Sequence, residues 1–279
     1  MTQNLREWFT SFLQRVRESN DEELVEEISA LTKINNNLVT ENIRLVDYAC
    51  DTQDQVDELT RLLAVVNKYD SLENYQVWLE NNVKPVVKYY DFGTGRKQVH
   101  TIFAESIKDV DIIREFIETD LGFDPSIYAT ADELVYEFNI ALSKKCPTSK
   151  YYDSDTDLYG MLEYWATAKE TIEKLRLDGK SFDCDDSMTL RYSCLYHMLS
   201  DYFPDEIWRL RGFIVDIWTG GGHAMLAWVK EGVNDWVPIE TTFYDVRNAY
   251  IWEKDYRIRE QMLYQIRYSF DKDHEYAKI

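Results

Sequence analysis

A thiol, an imidazole and a carboxylate follow one another in three short stretches: Ser181-Phe-Asp-Cys184-Asp-Asp-Ser-Met188, Gly220-Gly-Gly-His223-Ala224 and Trp236-Val-Pro-Ile-Glu240-Thr-Thr242. A cysteine attacks an acyl carbon as the thiolate. It therefore needs a neighbouring base to take its proton and a third group to hold that base in the right tautomer. Cys184, His223 and Glu240 supply those three types in that order.

The elements that must position them can be argued locally. Gly179 ends one element, Ser181 or Asp183 can cap the next, and Met188, Tyr192, Leu195 and Leu199 mark the buried face of a helix running to about Tyr202. Cys184 then lies in the first turn, where unpaired N–H groups favour a thiolate and are placed to stabilise an oxyanion. Asp183, Asp185 and Asp186 work against this, because nearby negative charge raises a thiol pKa. His223-Ala-Met-Leu-Ala-Trp-Val229 alternates as a strand does, a turn at Glu231-Gly-Val-Asn234 follows, and Asp235 to Thr242 returns. That register sets Val229 opposite Trp236 and Met225 opposite Glu240, so His223 and Glu240 become diagonal neighbours on one face. The competing readings are a small buried hydrophobe for Cys184 and a structural hydrogen-bonded pair for His223 and Glu240. A metal-dependent hydrolase using Asp183, Asp185, Asp186 and His223 ranks behind both, and no metal or other cofactor is expected.

Upstream, helical spacing predicts helices at 107–120, 131–144 and 160–176, the last from Met161, Trp165, Ala168, Ile172 and Leu175. Asp153-Ser-Asp-Thr-Asp157 resembles the start of a calcium loop. It fails, because Leu158 stands where the glycine belongs and Tyr164 where the bidentate glutamate belongs. Residues 3–18 place Leu5, Trp8, Phe9, Phe12, Leu13 and Val16 on one face of an amphipathic helix, expected to dock on the protein's own body or on a partner protein. From Leu24 to Val66 a heptad seam runs through Leu24, Leu31, Leu38, Leu45, Thr52, Leu59 and Val66, with Ile28, Asn35, Asn42, Ala49, Val56 and Leu63 at the other core position. This predicts a coiled coil and self-association, with the two asparagines setting register. Pro85 and Gly93-Thr-Gly95 interrupt the pattern. The expected domains are therefore 1–68 (amphipathic helix and coil), 69–100 (linker or boundary) and 101–279 (the domain carrying the chemistry).

Composition bounds the function. The 279 residues are 45% hydrophobic, enough for a core, and 51 acidic against 31 basic side chains give a net charge of -20. Such a surface is a poor match for phosphate, so nucleic acid is not an expected partner. No stretch has the apolar run of a secretory signal or membrane span. Cys50, Cys146, Cys184 and Cys194 show no C-x-x-C spacing, so free thiols in a reducing compartment are expected.

The stretch from about Tyr151 to Tyr244 resembles the transglutaminase-like cysteine peptidase superfamily. The counterparts of its motifs are Tyr164-Trp-Ala-Thr-Ala-Lys-Glu-Thr171, Phe182-Asp-Cys184-Asp-Asp186, His223-Ala-Met-Leu-Ala-Trp228 and Pro238-Ile-Glu240-Thr-Thr242. Phe182 replaces the usual glycine, Trp228 lies further along its strand, and Glu240 stands where Asp is more common. The resemblance implies an α+β, papain-like domain with the cysteine helix packed on an antiparallel sheet, and catalytic roles for Cys184, His223 and Glu240. It also implies a supporting role for Trp165 toward substrate or oxyanion. The expected activity is hydrolysis or exchange of a peptide or protein amide bond through a thioester, displayed as a homo-oligomer by the coil. The alternative is a catalytically silent assembly protein of a larger particle such as a bacteriophage virion. Location in the cytoplasm or in such a virion follows from the missing signal peptide.

Overall fold

A computed structural model of the chain describes residues 71–147, 150, 152–177, 182–217, 221–242, 251–260 and 264–277. The amphipathic helix expected at 3–18 and the heptad seam at 24–66 lie outside the described residues.

The chain from residue 71 alternates short helices with short strands before the chemical stretch begins. Helix α1 (Leu72–Asn82) is capped by the Ser71 hydroxyl and is followed by β1 (Pro85–Val86), β2 (Tyr89–Asp91) and β3 (Arg96–Gln98). The segment read as a linker thus supplies core side chains: Tyr75, Leu79, Phe92 and Val99 are buried. Helices α2 (Thr101–Ser106) and α3 (Val110–Glu115) follow, with a π turn at Phe116–Asp120, so the helix expected over 107–120 is broken at 107–109. Helix α4 (Ala131–Lys145) forms where predicted, with Thr130 capping the Glu133 amide.

The helix expected over 160–176 forms only in its second half. Residues 160–167 are not helical; a short α5 (Asp155–Tyr159) ends at Gly160 in the left-handed region (φ 69°), and α6 begins only at Ala168 and runs to Leu177. Helical spacing from Met161 to Leu175 is real but loses to side chains. The Tyr164 and Ala166 amides are taken by the carboxylates of Asp155 and Asp186, both at 2.6 Å, instead of by carbonyls one turn back.

Helix α7 (Cys184–Tyr202) starts and stops as predicted, with Asp183 in extended conformation accepting a hydrogen bond from the Asp185 amide. It differs in being buried nearly all round between Asp185 and Leu199, not along one face. The sheet lies on one side, and α2, α4 and α6 pack around the rest. Its polar residues are matched accordingly: Ser193 donates to Ser106, and Arg191 to Asn139 at 2.7 Å.

The sheet is built from β4 (Leu210–Ile217), β5 (Gly222–Lys230), β6 (Asp235–Ile239), β7 (Tyr264–Phe270), β8 (Glu275–Tyr276) and β1, in the order β1-β8-β7-β4-β5-β6. All neighbours are antiparallel. One face carries Leu210, Ile214, Ala224, Leu226, Trp228 and Phe270 into the core around α7. The other carries Phe213, Val215, Met225, Ala227, Val229 and Trp236 against Tyr75 and Leu79 of α1. This two-sided burial, with helices set apart from the antiparallel strands, makes the fold α+β. Among the described residues no helix is long and apolar enough to cross a membrane.

Close approach of helix and sheet depends on a missing side chain. A Cβ at Gly212 of β4 would come within 2.7 Å of the Phe103 ring and 2.8 Å of Phe270, while Phe103 stacks on Tyr192 of α7 at 3.6 Å between centroids. These rings have nowhere to move. Gly212→Ala is expected to destabilise the fold by roughly 1–3 kcal/mol, read as a lower urea midpoint at an unchanged slope.

Candidate active site

Cys184 is the first residue of α7 and is half-buried. The Ala224 backbone amide hydrogen-bonds to its sulfur, bringing the first turn of the helix against the start of β5. His223 sits one residue before that amide, just after Gly221, whose φ of 106° lets the chain enter the strand. Across the hairpin the observed pairs Val229↔Trp236 and Leu226↔Ile239 match the predicted register.

Glu240 lies immediately beyond the end of β6, not within the strand expected to reach Thr242. The Thr241 and Thr242 amides turn back onto Glu240 Oε1 at 2.9 and 3.2 Å and so leave the ladder. The same oxygen meets His223 Nε2 at 2.6 Å, while the Tyr264 hydroxyl donates to Oε2. Burial alone would raise the Glu240 pKa. The hydrogen bond and charge of His223, then Tyr264 and the Thr242 amide, overcome it and hold the group at about 2, so it is ionised at neutral pH.

The thiol behaves differently from the sequence-based expectation. A helix N-terminus was expected to favour the thiolate, yet burial first and the Asp183 carboxylate second push the Cys184 thiol well above its ordinary value. The Ala224 amide opposes this only in part. Cys184 therefore rests as the neutral thiol, 3.8 Å from Asp185 Oδ1, and its ionisation requires a base.

Acids crowd the first turn of α7. Asp185 and Asp186, in the first turn, are buried with α7, and Asp155 of α5 is buried against them. Asp186 accepts from Ala166 N and from Tyr159 Oη, and Asp155 Oδ2 accepts from Tyr164 N. Asp155 Oδ1 and Asp185 Oδ2 are buried without a hydrogen-bond partner. Burial and then Asp183 push Asp155 up to about 7 and raise both Asp185 and Asp186. One oxygen each from Asp155, Asp183 and Asp186 lies within 4.8 Å of the others, as do oxygens from Asp155, Glu163 and Asp185. These are the oxygen donors that suit a hard cation. His223, a ligand in the metal reading of the sequence, is instead paired with Glu240.

Trp165 is buried in an aromatic wall, 4.9 Å between centroids from both Tyr90 and Phe92. Its indole N–H donates to Glu163 Oε1 at 2.6 Å, and the Tyr90 hydroxyl donates to the same oxygen. This commits the polar edge of Trp165 to holding Glu163. A Cβ on Gly93, at the β2–β3 turn, would overlap the Glu163 carbonyl oxygen, so that turn closes directly over the segment.

Three residues at the site were missed. Tyr264 has no local signal, being 24 positions beyond Glu240. Glu163 lay inside a predicted helix. Asp155 belongs to the 153–157 stretch, which is no local calcium loop because Ser154 caps α5 through the Asp157 amide, but its side chain turns inward to a non-local cluster.

No protein-family model and no curated protein matches the chain. Among solved structures it is similar to calcium-bound Legionella pneumophila LapG, at 15% identity over 74% of this chain and 87% of that one, with a TM-score of 0.35.

The depressed Glu240 pKa has a definite sign in stability. A carboxyl held at about 2 against an ordinary 4.5 stabilises the fold above the higher value and loses that contribution as pH falls toward the lower. Glu240→Gln is expected to cost roughly 3 kcal/mol at pH 7, an order-of-magnitude figure from the shift, and much less at pH 3. Urea titrations of both proteins at the two pH values measure it; a pH-independent difference would contradict the assignment.

Proposed function

We propose that the chain is a thiol-dependent enzyme that hydrolyses or exchanges amide bonds through a thioester on Cys184. The observation that carries this reading is the 2.6 Å contact of His223 Nε2 with an ionised, buried Glu240, on a strand whose next amide binds the Cys184 sulfur. With Nε2–H committed to the carboxylate, Nδ1 is the nitrogen left to act as base. The resemblance of the Cys184, His223 and Glu240 segments to transglutaminase-like cysteine peptidases agrees with it.

The steps follow from the residues. His223 takes the Cys184 proton, which the raised thiol pKa makes unfavourable without a base close by. The thiolate adds to the substrate carbonyl and gives a tetrahedral oxyanion. Collapse breaks the C–N bond as His223 returns the proton to the leaving amine, giving the thioester. Water or a second amine then attacks with His223 again as base. The coil of residues 24–66 would display this domain as a homo-oligomer.

The carboxylates beside the thiol fit a hard divalent cation. Two buried carboxylate oxygens without partners, on Asp155 and Asp185, are costly unless protonated or bound by such an ion. Bound there, the ion would offset negative charge next to Cys184. Asp155, Glu163 and Asp185 would hold it, joining α5 and the segment after it to the first turn of α7.

Two measurements test these readings. At pH 7, iodoacetamide should alkylate Cys184, located by peptide mass, and His223→Ala should slow this about a hundredfold. Equal rates in the variant would favour the silent assembly protein. Calcium at a hundredfold excess over its dissociation constant should stabilise the protein by about 3 kcal/mol over chelator-treated protein. Asp155→Asn should lose most of that gain; no calcium effect in either protein would mean that the acids share protons instead.

A further inference from the structure

We propose that Tyr264 is a positioning residue for His223, acting through the second oxygen of Glu240. This rests on the thiol-enzyme reading and adds a residue to its machinery. The donors on Glu240 Oε1 are His223 Nε2, Thr241 N and Thr242 N, at 2.6, 2.9 and 3.2 Å. A donor on the second oxygen adds a constraint on rotation about the last single bond, which sets where the accepting lone pair points relative to the imidazole. The Tyr264 hydroxyl donates to Oε2 and so helps fix the carboxylate plane. An O–H donor to a carboxylate is among the stronger hydrogen bonds of a protein interior.

The placement of Tyr264 suits this role. It is the first residue of β7 and pairs with Ile217 at the end of β4, the strand between β7 and β5. Its side chain therefore crosses from β7, past the ends of β4 and β5, to a carboxylate beyond the end of β6. On the way the ring lies beside the His223 imidazole, 6.2 Å between centroids at an interplanar angle of 26°. One side chain thus constrains both the imidazole plane and the carboxylate that selects its tautomer. Holding the proton on Nε2 keeps Nδ1 unprotonated for the thiol.

Tyr264→Phe removes the hydroxyl and keeps the ring. Loss of one hydrogen bond to a charged group should slow iodoacetamide alkylation of Cys184 at pH 7 about tenfold. Ring 15N spectra of His223 should show the Nε2–H tautomer in the wild type and a mixture of tautomers in the variant. A merely structural tyrosine would lower the melting temperature and leave both rate and tautomer as in the wild type, which would overturn the proposal. Should His223→Ala also react at the wild-type rate, the thiol-enzyme reading fails; if His223→Ala is slow and Tyr264→Phe is not, only the positioning role fails. If Tyr264→Phe does not fold, the wild-type protein still decides: a hydrogen-bonded Tyr264 hydroxyl proton protected from solvent exchange supports the proposal, and rapid exchange rejects it.

Discussion

The site is governed by the burial of a helix that begins with charge. From Asp185 to Leu199 nearly every side of α7 faces protein, and its first turn carries Asp185 and Asp186 inward with it. Carboxylates taken out of water must find donors, protons or a cation. That demand organises the neighbouring chain. Asp186 takes the Ala166 amide, Asp155 takes the Tyr164 amide, and the segment between α5 and α6 is held extended across the start of α7. The non-helical conformation at 160–167 follows from that requirement.

The same burial sets the electrostatic state of the thiol. In water the N-terminus of a helix would stabilise a thiolate, but here desolvation and Asp183 both oppose ionisation. At the end of β6, Glu240 is buried and is nevertheless ionised, because His223, Tyr264 and backbone amides all donate to it. The acids at the helix start have too few donors, and the acid at the hairpin end has several. This contrast, not the identity of the residues, separates a carboxylate that can orient an imidazole from carboxylates that raise a thiol pKa.

Much of the geometry was legible because it is local. The helix from Cys184 to Tyr202 follows from a cap and a periodic apolar set, and the His223–Glu240 contact follows from strand alternation across a short turn. The apolar pattern also showed that residues 131–144 are helical. It failed at 160–167, where spacing alone cannot show that distant side chains compete for the backbone amides. Residues 69–100 looked irregular because their elements are short, yet Tyr75 and Leu79 cover one face of the sheet.

What the sequence determined by itself is the inventory and its short-range order: a thiol at a helix start, an imidazole and a carboxylate on one hairpin, and a strongly acidic chain. Each depends on torsions and periodicities that neighbouring residues impose on one another. The tertiary structure decided the rest, namely which acids meet at the thiol, that Trp165 spends its N–H on Glu163, and that Tyr264 reaches Glu240. Those outcomes depend on desolvation and on contacts between segments far apart in the chain, and neither quantity exists until the helix has been packed against the sheet.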